Sequence, residues 1–84
     1  MDLDALFFIF FQQPGTYQQF LAARELKRHD WRYHKQHNVW IQRHEDPTVT
    51  TNEFELGTFV YFDQNTWSQK IKTNFTVEYS KLEL

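Results

Sequence analysis

The sequence predicts an α+β domain, an N-terminal helical hairpin followed by a strongly curved antiparallel sheet or small barrel. Three observations carry this reading. Apolar residues recur at helical spacing in the first third of the chain, the spacing changes to two from Trp31 onward, and 84 residues are too few for two stacked sheets. A chain of this length forms one domain, 1–84, with 1–30 as its helical part and 31–84 as its curved sheet. Only roughly 60% of the unfolded surface can be buried at this size, so the core needs large side chains. Nine Phe, four Tyr and three Trp supply them.

The first helix is expected from Leu3 to about Gln13, where Pro14 and Gly15 stop it. Its apolar run, LFFIFF, is far shorter than the about 20 residues a bilayer requires, so it must be buried in protein. Leu3, Leu6, Phe7 and Phe10 form one apolar face; Ala5, Phe8 and Ile9, with Gln12 at the edge, form a second. So small a domain has little material to cover both faces, which makes Ala5, Phe8, Ile9 and Gln12 candidate partner-binding residues, with Phe59 and Tyr61 of the sheet as the alternative surface.

Thr16 with Gln19 reads as a capping box opening a second helix. Tyr17, Phe20 and Leu21 line one side of it, Ala22, Ala23 and Leu26 widen the stripe, and Lys27 to Asp30 end it. Five strands follow. WRYH and VWIQRH flank a polar KQHN turn, and FELGTFVYF places Phe54, Leu56, Val60 and Phe62 on one face with Phe59 and Tyr61 on the other. DQNT then turns the chain into WSQKIK, and FTVEYSKL alternates cleanly. Gly57 interrupts an apolar strand and is expected to mark a bulge or sharp bend.

Charge is distributed unevenly. The net charge is −2, yet residues 24–44 carry six basic residues against Glu25 and Asp30, a net of +4, which leaves −6 for the remainder. Arg24, Lys27, Arg28, Arg32, Lys35 and Arg43 interleave with Trp31, Tyr33 and Trp40, and so are the candidate nucleic-acid contacts. Against this stands the reading that the rings are core and the charges a solvated or protein-docking face.

No constellation signals catalysis. Two glycines cannot build a phosphate-cradling loop, and the absence of cysteine removes disulfides and thiolate zinc sites. His34, His37 and His44 match no ligand spacing and are read as solvated, as are Glu45, Asp46, Glu53 and Glu55 in an acidic loop. NFT at Asn74 is read as a strand start rather than a glycosylation site. Asp2 and Asp4 stand where a secretory signal would be positive, which favours an intracellular protein. No cofactor or metal is expected.

With LFFIFF, GTYQQFLAARELKR, WRYHK, QRHE before Pro47, GTFVYFD from Gly57 to Asp63, and NFTVEY in this order, the chain resembles the NOT-box domain of the Ccr-Not deadenylase complex, of the type in its subunits three and five. The resemblance covers nearly the whole sequence, its Phe20–Ala23 stretch included. It implies a sheet of Sm-like or SH3-like character, a noncatalytic role in dimerisation and recruitment, and pairing with the NOT box of the second subunit, with the large scaffold subunit as a further partner. It also implies work in poly(A)-tail shortening and translational repression, in cytoplasm and nucleus. The long coiled coil and connector of such subunits are absent, so the chain is read as a cut-out domain or an unusually short protein, able to homodimerise in isolation. An RNA-binding barrel using residues 24–44 is the alternative function, and a small metal-dependent enzyme a distant third.

Overall fold

A computed structural model describes residues 2–83, and the chain forms two compact units divided after Trp31. In the helical unit, α1 spans Leu3–Gln12 and α2 spans Tyr17–Arg28. Asp2 caps α1, its carboxylate accepting from the Ala5 N–H at 2.8 Å. Gly15 makes the turn between the helices in the left-handed region (φ 75°), with open space around it.

Thr16 caps α2 as expected, its hydroxyl accepting from the Gln19 N–H at 3.1 Å. The reciprocal half of the box is replaced by something wider. The Gln19 side-chain oxygen accepts from the Gly15 N–H, and its amide donates to the Phe10 carbonyl, both at 2.8 Å, so one side chain ties the turn and the end of α1 to the start of α2. Past α2, Asp30 adopts φ 68° and the Trp31 N–H returns to the Leu26 carbonyl at 3.0 Å. That return sets Trp31 edge-on against Phe7, with ring centres 5.1 Å apart, in a core that also holds Leu6, Ala22 and Leu26.

The sheet unit contains β1 (Arg32–His34), β2 (Val39–Arg43), β3 (Val49–Thr50), β4 (Phe54–Asp63), β5 (Ser68–Glu78), a 3-10 turn over Tyr79–Lys81, and β6 (Leu82–Glu83). All pairings are antiparallel, in the order β3-β4-β2-β1-β6, with β5 pairing β4. Among the described residues the sheet curls but does not close. Its core is Ile41, Phe59, Val77 and Leu82, with Val39, Tyr61, Phe75 and Tyr79 packed against it.

Three details differ from the expectation. The two C-terminal strands are one continuous β5, and two short strands, β3 and β6, complete the sheet. The register slip does fall at Gly57, since Gly57 opposes Phe75 whereas Phe59 opposes Lys72. The extra residue, however, belongs to β5, where Asn74 takes it up in the left-handed region (φ 51°) that asparagine tolerates. Gly57 is required for a different reason: a Cβ there would lie 3.0 Å from the Pro47 Cα. Finally, Glu55, Gly57 and Phe59 are buried on one face of β4 and Phe62 is buried beyond the slip, so Phe59 is core and not surface. Alternation failed here because β4 carries apolar residues on both faces, and period two then cannot say which face is inside.

Candidate partner-binding surfaces

The helical unit exposes an unusual amount of aromatic surface. Phe8 is 55% exposed, Tyr17 68%, Phe20 58% and Leu21 40%. Tyr17 and Phe20, one turn apart, stack with ring centres 6.0 Å apart. Beside them runs a groove of about 420 Å³ between the two helices, floored by Leu6, Ile9, Leu21 and Ala22 and edged by Arg24, Glu25 and Arg28. Such a surface, apolar in its middle and charged at its edge, has the composition of a docking face.

The sequence-derived candidates distribute as follows. Phe8 and Gln12 are exposed, while Ala5 and Ile9 are half-buried, Ile9 in the groove. Tyr61 is half-buried and Phe59 is only 1% exposed, in the core of the sheet. Tyr17, Phe20 and Leu21, expected to line one side of α2, are exposed. The side of α2 that is buried runs through Ala22 and Leu26. The signal was present in the alanines: small residues let two helices approach closely, and Ala22 sits where α1 packs on α2.

The basic segment is divided in its employment. Arg32 and Arg43 both reach the carboxylate of Glu55, which has no solvent exposure; Arg43 donates from Nε to Oε2 at 2.8 Å, and Arg32 bonds Oε1. The carboxylate holds the Arg43 pKa above its ordinary value. Glu55 is thus a buried member of β4 and not part of a solvated acidic loop. Arg28 pairs with Glu25 at 3.2 Å on the surface of α2. Arg24, Lys27 and Lys35 are exposed, the first two on α2 and Lys35 in the β1–β2 turn.

His34 is 2% exposed, and its Nδ1 accepts from the His37 N–H at 3.3 Å. Burial lowers its pKa, and His37 acts in the same direction. Among the described residues no group of three or more His, Cys, Asp or Glu is placed to hold a metal ion, and no helix is long and apolar enough to cross a membrane.

The fold and its surfaces describe a two-helix, curled-sheet domain whose distinctive features are hydrophobic and basic faces. Residues 1–82 match the model of the family described as NOT2/NOT3/NOT5 C-terminal. The chain belongs to that family. It is 48% identical over 84 residues to the general negative regulator of transcription subunit 3 of Schizosaccharomyces pombe, covering 99% of this chain and 13% of that protein. It is 41% identical over 83 residues to a probable NOT transcription complex subunit VIP2 of Nicotiana benthamiana, covering 96% of this chain and 14% of that one. Against the general negative regulator of transcription subunit 2 of S. pombe it is 37% identical over 82 residues, covering 95% of this chain and 26% of the relative. The chain therefore spans between 13% and 26% of the length of these relatives, whose names describe transcription regulators and a NOT transcription complex subunit.

Proposed function

We propose that this chain is a noncatalytic interaction domain of a NOT-complex subunit, pairing through its helical unit with the C-terminal domain of a sister subunit of the second type. As half of that pair it would help dock on the large scaffold subunit. The complex it serves would act in mRNA deadenylation and translational repression, in nucleus and cytoplasm. The observation that carries this reading is the outward set of Phe8, Tyr17, Phe20 and Leu21 on two short helices. Each large apolar side chain removed from water contributes about 1.5–3 kcal/mol. Four of them, together with the apolar side chains that a partner buries against them, supply a useful fraction of a micromolar affinity. A surface of this kind could also meet its own copy about a two-fold axis, giving a homodimer when the sister subunit is missing.

The test is capture of a subunit-two C-terminal domain by this chain, with Phe8→Asp and Phe20→Asp made separately. Both side chains are more than half exposed, so the variants keep their circular dichroism and melting transition. Loss of capture and of self-association in both supports the proposal. Capture at unchanged affinity by both folded variants rules it out.

A further inference from the structure

We propose that the concave face of the curled sheet is a second binding site, which takes a short peptide with an apolar anchor side chain followed by acidic residues. The cavity holds about 320 Å³, with Val39, Ile41, Phe59 and Phe75 as its apolar lining and His37 and Lys72 among the polar residues that line it. That is the volume of one or two large side chains, in the range of preformed ligand sites. The walls are held rigidly. Ile41 and Phe59 are core residues, Phe75 stands edge-on to Phe59 with centres 6.0 Å apart, and the His34 and His37 rings stack at 4.6 Å beside it.

Charge selects the occupant. Lys72 lies directly opposite Phe59 in the β4–β5 register, so the two side chains share the core face of the sheet. The exposed Lys72 ammonium is hydrated there, and beside the apolar walls it offers an incoming anion a partner of opposite charge. Lys70, two residues away on the same face of the strand, has one, in Asp63 at 2.8 Å. Lys72 makes no ion pair among the described residues, and no carboxylate lines the cavity. The missing complement is therefore an anion carried next to an apolar group, which a peptide bearing Phe or Leu followed by Asp or Glu supplies. This site lies wholly in the sheet unit and is independent of the helical surface proposed for subunit pairing.

The experiment is a titration of the isotope-labelled chain with a Gly/Ser peptide carrying one Phe followed by two Asp, read by backbone amide shifts. Shifts centred on Val39, Ile41, Tyr61, Lys72 and Phe75 are expected. Lys72→Glu, at an exposed position, should weaken binding by about tenfold or more, and so should a peptide with Lys in place of Asp. Phe8→Asp and Phe20→Asp, which test the pairing surface, should leave it unchanged. No shifts at millimolar peptide, shifts mapping to the helices, equal affinity for Lys72→Glu, or shifts that follow chain concentration instead of peptide would each overturn the proposal, the last by identifying a second copy as the occupant.

Discussion

Arg43 donates its Nε–H to Glu55 at 2.8 Å, and the carboxylate that receives it has no contact with solvent. With Arg32 on the other oxygen, three strands, β1, β2 and β4, are joined through one buried side chain. Neutralising it leaves two guanidinium groups without the charge that holds them. Glu55→Gln should cost about 2–3 kcal/mol, at the lower end for a buried pair because both arginines retain some access to water. Thermal melts should show a Tm lower by roughly 10 °C; Arg32→Met or Arg43→Met, which leave the carboxylate one partner, should each cost less. A Tm within a degree or two of wild type would show that the triad contributes nothing net.

This triad also marks where reading the chain from sequence fails. Glu55 sits among Glu45, Asp46 and Glu53, and composition alone groups it with them; only β4, which begins one residue earlier at Phe54, takes it inside. Other features were legible because their causes are local. Pro14, Gly15 and Thr16 bound the helices through backbone geometry and capping, and KQHN between alternating residues gives the β1–β2 hairpin, with Asn38 in the left-handed region. Faces were harder. Tyr17, Phe20 and Leu21 obey the same spacing whether they meet solvent or core, since periodicity reports that a face exists and not what covers it. The cavity in the sheet unit fares similarly: no spacing in the chain announces that Lys72 will oppose Phe59, because the Asn74 slip sets that register.

Gly57 is constrained by a neighbour and not by its own dihedral. Gly57→Ala places a methyl 3.0 Å from the Pro47 Cα, and the loop before β3 must shift to admit it. The expected cost is about 1–3 kcal/mol, with Gly57→Val worse than Gly57→Ala. Chemical denaturation of both variants checks this, and two curves superimposable on wild type would refute it.

Gln19 gives a cleaner local test. Gln19→Ala removes an acceptor for the Gly15 N–H and a donor for the Phe10 carbonyl, and should destabilise by about 1 kcal/mol. Gln19→Glu keeps the acceptor but not the donor and should fall between the two. Amide exchange in the α1–α2 turn should accelerate in Gln19→Ala. Unchanged protection at Gly15 would contradict the assignment.

His34 predicts an acid-sensitive fold. Its burial lowers its pKa from the ordinary 6.5, with His37 and Lys81 acting in the same direction and Glu78 opposing them. The unfolded chain then binds a proton at a pH where the folded chain does not. Stability is full above about 6.5 and declines as pH falls through that value toward the lowered folded one. Protonation would also remove the Nδ1 lone pair that receives the His37 N–H. Melting curves between pH 7 and pH 5 should show a falling Tm in the wild type and a shallower fall in His34→Phe; equal slopes would mean that other groups govern the decline.

Among the described residues the long β5 pairs with β4 alone, and its residues from Gln69 to Asn74 are exposed along an unpaired edge. A run of unpaired backbone donors and acceptors of that length is a template on which further strands can grow. Lys70, Lys72 and the left-handed kink at Asn74 stand along that stretch and make it both charged and crooked. Charge and crookedness of this kind make an edge unattractive to its own copies, and the difference between a finite assembly and a fibre rests on an edge staying that way.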